Sequence, residues 1–171
     1  MPLTLHEALV PSWLQLLNAA LGWLDKAAAS NMTEEEVLSA RLIEDMLPFS
    51  YQVKAMTFHS QGAIEGVRAG VFRPRFKDPN SSSLAELRST LEGAVSFLNG
   101  LTEADLEDLL GRDMRFEVGE KRLDFTAEDF LLSFSQPNFY FHATTAYGIL
   151  RMKGVNVGKL DYLGRLRLKP N

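Results

Sequence analysis

The sequence predicts an all-α chain, a mainly helical domain built around a four-helix bundle, and three observations carry that reading. Apolar residues recur at three- and four-residue spacing through four long segments. Helix-start signals stand ahead of two of them, Thr33 with Glu36 and Ser83 with Glu86. Strand-like alternation is confined to one short stretch, where Phe116 and Val118, then Leu123 and Phe125, alternate with charges around Gly119.

Each element follows in order. The first helix spans residues 4–29, with Val10, Trp13, Leu14, Leu17, Leu21 and Leu24 on one stripe and Pro11 early in it, separating or kinking the first turn. The second opens at the Thr33/Glu36 capping box and points Val37, Leu38, Leu42 and Met46 inward. It kinks at Pro48 and resumes with Val53, Met56, Ala63 and Val67 as far as Gly70. Residues 71–82, with two prolines, an Asn and a serine run, read as a long connection that crosses the bundle. The third helix starts at the Ser83/Glu86 box, carries Leu84, Leu87, Leu91, Val95 and Leu98 inward and stops at Gly100. A short turn capped by Thr102, the small β-hairpin insertion and a short helix capped by Thr126 follow. Pro137 sits in the first turn of the final helix, which ends at Gly154 behind Lys153. The irregular C-terminal tail, semi-apolar, is expected to lie back across the bundle.

Composition bounds the function. At 171 residues the chain is one domain long, residues 1–171, and large enough to fold without a metal or disulfide. The absence of cysteine removes disulfides, thiolate nucleophiles, Cys-ligated zinc and iron–sulfur clusters. A net charge of −4 disfavours nucleic acid and anionic lipid as partners. The basic residues Arg165, Arg167 and Lys169 read as a solvated terminus. No uncharged run approaches the ~20 residues of a membrane span, and no signal-peptide pattern opens the chain, so a cytoplasmic location is expected.

Two features stand apart. Residues 139–150 of the last helix contain no charge, with apolar or aromatic residues in every direction. Such a helix is either fully buried or has its second face covered by a partner. A homodimer through this helix, with Tyr140 and Tyr147 on one shared face, is the expectation. The second feature is a pair of histidines. His59 projects from the stripe of Met56 and Ala63, with Gln52 on the same face, and His142 lies on a face completed by Ala146 and Ile149. Two histidines facing inward from two helices can converge where bundles build metal sites. His6, beside Glu7, reads as exposed or as a capping residue. Tyr51 sits near Pro48, and Tyr162 in the tail. Thr144 and Thr145 read as back-bonded to their own helix. No phosphate loop, nucleophile elbow or Glu-x-x-His pair is present.

The run PNFYFHATTAYGILRMKGVNVGKLDYLG, with FTAEDFLLSFSQ and LPFSYQVKAMTFHSQGAIEGVRAG before it, resembles a domain-of-unknown-function branch of the DinB/YfiT-like superfamily. The similarity runs from WLQLLNAALGWLDKA to KLDYLG. It implies a DinB-like four-helix bundle, usually dimeric. It also implies a divalent metal, zinc or nickel, held by one histidine of the second helix and a His-x-x-x-His pair of the fourth, and activity as a thiol-dependent transferase or a hydrolase. His59 matches the second-helix ligand and His142 the first histidine of the pair. Ala146 stands at the second and cannot ligate, while Gln52 and Asp45 are the nearby residues able to supply a further oxygen. Three readings follow: a degenerate metal-dependent transferase or hydrolase, a dimeric small-molecule-binding protein using a pocket of His59, His142, Gln52, Tyr51 and Ala146, and an interaction module built on the last helix.

Overall fold

In the computed structural model, which describes residues 2–75 and 80–169, the chain is mostly helical with one small three-stranded sheet. The helices are α1 (Leu5–Ala28), α2 (Glu34–Ser39), α3 (Phe49–Phe58), α4 (Gln61–Ala69), α5 (Leu84–Asn99), α6 (Glu103–Glu107), α7 (Ala127–Asp129), α8 (Gln136–Met152) and α9 (Lys159–Leu163). The strands are β1 (Val71–Phe72), β2 (Asp113–Val118) and β3 (Lys121–Thr126). Helix α1 packs on α5 and α3 on α8, and contacts of α3 with α5 and of α1 with α8 close the set. The core between them holds Trp13, Trp23, Phe49, Met56, Leu91 and Phe139, all fully buried. Among the described residues no helix is long and apolar enough to cross a membrane.

Helix α1 runs unbroken past Pro11. The helix gives up one backbone hydrogen bond there and gains a start fixed by a reciprocal capping box, in which Thr4 and Glu7 each satisfy the other's N–H. The Thr33/Glu36 box forms as expected. At α5 only half of one forms: Ser83 accepts from Glu86 N, while the Glu86 carboxylate turns to the Ser82 N–H and hydroxyl.

The second helical region departs from a single kinked helix. It is three helices, and Leu42, expected inward, is 45% exposed in the loop between α2 and α3. Pro48 offers no N–H and pushes its predecessor out of helical conformation. The loop closes on itself instead, through Phe49 N to Ala40 O at 2.8 Å, Met46 N to Ile43 O at 3.1 Å and the Arg41 guanidinium on Met46 O. A second break, at His59 and Ser60, has no glycine or proline to announce it. Ser60 takes φ −123° and ψ −87°, and its hydroxyl bonds back to Met56 O at 2.8 Å.

The connection after Gly70 is also more ordered than its composition implies. Val71 and Phe72 form a strand parallel to β2, paired with Arg115 and Phe116, so the hairpin becomes a sheet in the order β1-β2-β3. Residues 76–79, the middle of the expected crossover, lie outside the described residues. The hairpin register pairs Asp113 with Thr126 and Val118 with Lys121. After β3, the short helix and the final helix form one continuous run, because Phe130–Ser135 winds as a π-helical turn that joins α7 to α8.

The tail lies back on α1. Trp23 Nε1–H donates to Asp161 O at 2.9 Å, Gln15 donates to Leu163 O at 2.6 Å, and Tyr162 stacks on Trp23 with ring centroids 5.8 Å apart. The chain leaves this contact at Gly164, with φ 61° and ψ −146°, a region open to glycine alone. A Cβ there would stand 3.1 Å from Ala19 Cβ and 3.3 Å from Gln15 O. Gly164→Ala is therefore expected to undock the tail at a cost of about 1–3 kcal/mol. Red-shifted Trp23 emission with retained far-UV helicity checks it, and an unchanged emission spectrum would contradict it.

Candidate functional site

The two interior histidines meet. Their ring centroids are 5.5 Å apart and their planes lie within 15° of parallel. His59 is the C-cap of α3 and is 8% exposed, so the helix break places it against α8. His142, in α8, is partly buried, with Tyr51 edge-on at 5.9 Å and Phe141 at 5.3 Å. Phe72 and Phe134 close over His59 at 5.5 and 6.1 Å.

Hydrogen bonds fix the tautomer of each ring. The Gln52 side-chain nitrogen donates to Leu47 O at 2.8 Å, so its carbonyl oxygen faces His142 Nδ1 at 2.7 Å. An amide oxygen only accepts, hence His142 carries its hydrogen on Nδ1. The Ser135 hydroxyl donates to His59 O at 3.2 Å and accepts from His59 Nδ1 at 3.3 Å. Both rings thus hold their hydrogen on Nδ1 and leave a bare Nε2 lone pair. Among the described residues neither Nε2 has a hydrogen-bond partner.

Burial keeps both rings neutral. Desolvation, with the neighbouring His142 adding to it, pushes His59 down to about 3, and desolvation alone pushes His142 down to about 4. Burial likewise raises the Tyr51 hydroxyl, which keeps its proton.

The structure brings His59, His142, Gln52 and Tyr51 together. Gln52 sits behind His142 as its orienting acceptor. Asp45 is exposed in the loop between α2 and α3, and Ala146 is buried one turn beyond His142. His6 is partly buried and close enough to Asp105 to act on its carboxylate. Of the tyrosines expected at a partner, Tyr140 is half-buried against Phe139, and Tyr147 is covered by the tail, with Tyr162 at 5.4 Å and Trp23 at 6.2 Å. Thr145 back-bonds to Phe141 O at 2.8 Å, whereas Thr144 turns away from its helix to Tyr162 at 3.0 Å. Ser135 is the residue that sequence reasoning missed. It lies in a stretch read as a junction between two helices, and only the π turn brings it under His59.

A divalent ion finds two donors of the right type here and too few of them. Both imidazoles are neutral and backed by an acceptor, as ligating histidines require. The third donor is missing: Ala146 has none, the Gln52 oxygen is taken by His142, and among the described residues no group of three His, Cys, Asp or Glu converges. A catalytic zinc site takes three protein ligands. The side chains do not fit a protein-held catalytic metal.

The comparisons agree with this architecture. A family model described as a domain of unknown function, DUF1993, matches residues 5–163. A DinB family member protein from Shewanella denitrificans superposes with a TM-score of 0.78 at 29% identity, over 98% of this chain and 96% of that one. A DinB-like protein from Bacillus subtilis, YjoA, gives a TM-score of 0.57 at 18% identity, over 85% of this chain and 91% of that one. No curated protein matches the chain.

Two measurements check the site. The unfolded chain binds protons below the ordinary histidine value of 6.5, while the folded rings stay neutral down to about 4 and about 3. Stability is therefore full above pH 6.5 and falls as the pH drops from there, by about 1.4 kcal/mol per pH unit for each ring, until the folded values are passed. A His59→Gln, His142→Gln double variant should flatten that slope in urea titrations, and an undiminished slope would reject the assignment. Imidazole ¹⁵N spectra should show hydrogen on Nδ1 in both rings, and Ser135→Ala should redistribute the His59 tautomer while leaving His142 unchanged.

Proposed function

The chain belongs to the DUF1993 family, a branch of the DinB-like superfamily, and from that premise we propose that it is a small-molecule-binding protein. On this reading it is a single-domain DinB-like four-helix bundle in which the His59–His142 pair does the recognising. One observation carries the proposal. Gln52 and Ser135 hold both Nδ1 hydrogens, so two neutral, stacked imidazoles are left with free Nε2 lone pairs among aromatic rings. Such a pair suits a small molecule with hydrogen-bond donors, an amine, amide or alcohol, whose apolar part rests on Tyr51 or Phe141.

A second reading, a degenerate metal-dependent transferase or hydrolase, is favoured by the same tautomers, because a bare Nε2 is what zinc or nickel binds. With two protein donors such an ion would be held loosely, and the remaining positions would fall to water or substrate. Nothing in the donor set supplies the third ligand.

The homodimer belongs with this proposal. Tail docking covers Tyr147, which leaves Phe141, 54% exposed in the uncharged run, as the apolar residue that a second copy would cover, with Tyr140 at its edge.

Elemental analysis of protein purified without metal, followed by melting curves with and without zinc or nickel, separates the two readings. The proposal expects no stoichiometric metal and an unchanged Tm. It also expects movement of the Nε2 resonances on adding acetamide or methylammonium as probes. Stoichiometric metal, with a Tm rise that His142→Ala abolishes, would replace it by the second reading.

A further inference from the structure

The sheet ends in an open strand. In the order β1-β2-β3, β3 is terminal, and Lys121, Arg122, Leu123 and Asp124 are exposed along it. Its pairing with β2 runs from Val118↔Lys121 to Asp113↔Thr126 without a gap, and no proline interrupts it. Among the described residues no other strand takes its outer edge. An unbroken edge of this kind offers its backbone N–H and C=O groups to another strand.

The neighbouring strand shows which groups face outward. Arg115 N donates to Gly70 O at 3.0 Å, so the backbone of Arg115 faces β1 and makes no bond to its partner Asp124. The bond from Ala127 N to Arg112 O at 2.9 Å, just outside the Asp113–Thr126 pair, has the same phase. Bonded and non-bonded pairs alternate in an antiparallel ladder, so Arg122, Asp124 and Thr126 turn their backbone groups away from β2. Leu123 turns its backbone to β2. Its side chain stands on the face of its cross-strand neighbour Phe116 and is 47% exposed.

Charges on an edge strand ordinarily guard it. Here their order favours one partner. With most of the strand overlapping, an antiparallel copy of β3 can meet it in phase about a twofold axis at Arg122, Leu123 or Asp124. The first and last of these set like charges opposite each other. The axis at Leu123 opposes Arg122 to Asp124 of the second copy on both sides and brings Leu123 onto Leu123. On the same strands Arg122 already pairs with Glu117 at 3.2 Å, and Asp124 with Arg115 at 2.6 Å. The contact would join these pairs into one row of alternating sign across the axis.

We propose that β3 is a self-association surface, on which a second copy of this chain pairs antiparallel about a twofold axis at Leu123. The two three-stranded sheets become one continuous sheet, held by backbone bonds at Arg122 and Asp124 and by the Leu123 contact. This face is separate from Phe141 of α8, neither contact needs the other, and the histidine pair takes no part in it.

Sedimentation and crosslinking of the full chain test it. The wild type should show a reversible monomer–dimer equilibrium. Leu123→Lys, which sets like charges on the axis, should weaken it at least about tenfold with an unchanged Tm. The chain has no cysteine, so a single introduced thiol reports position without background. Opposed Cα atoms of a non-bonded pair lie about 4.5 Å apart, within disulfide reach. Leu123→Cys should therefore crosslink with diamide, and should still do so when combined with Phe141→Lys. Lys121→Cys, whose copies would stand about 14 Å apart at 3.4 Å per residue, should not. A wild type that stays monomeric, association undiminished in Leu123→Lys, or equal crosslinking at both positions would each overturn the proposal.

Discussion

Two buried imidazoles impose the constraint around which the irregular parts of this structure are arranged. A polar group taken out of water must find a partner or cost several kcal/mol. His142 finds the Gln52 oxygen, and Gln52 in turn finds Leu47 O at the mouth of α3. His59 finds Ser135, whose own hydroxyl hydrogen is taken by the His59 carbonyl that the helix break sets free. The loop before α3, the break after it and the π turn before α8 each supply one member of these two chains. None of the three would be expected of straight, regularly packed helices.

Much of the helical frame was legible because apolar periodicity and capping chemistry are local. The spans of α1 and α5, the Thr33 and Thr102 starts, the hairpin around Gly119 and the end of α8 before Gly154 all follow from residues within one or two turns. What was not legible depends on distant partners. The strand at Val71–Phe72 exists because β2 offers it an edge, and nothing in its own composition distinguishes it from a loop. The break at His59–Ser60 rests on Ser60 bonding backward and Ser135 approaching from 76 residues away. The candidate site divides the same way. Helical phase turned both histidines inward, but the roles of Gln52 and Ser135 follow only from where the partner elements place their oxygens.

The uncharged stretch 139–150 of α8 shows how far one chain can cover its own apolar surface. Tyr147 lies beneath Tyr162 and against Trp23, and Thr144 reaches the Tyr162 hydroxyl, so the tail takes a share of the face that composition alone would leave for another molecule. Phe141 lies outside that cover. The DUF1993 match runs through the tail as far as Leu163.

The π turn at Phe130–Ser135 also has an angular meaning. Each residue of an α-helix advances the side-chain direction by about 100°. A turn closed by i→i+5 bonds adds one residue without adding a turn. Everything upstream of it, α7 and the hairpin that leads into it, is therefore rotated in phase relative to α8. That offset lets Phe130 and Phe134 face the sheet side, against Phe72, Phe116 and Phe125, while Phe139 and Ile149 keep facing the helical core. One supernumerary residue lets a single continuous helical run serve two surfaces that a regular helix of the same length could not address together.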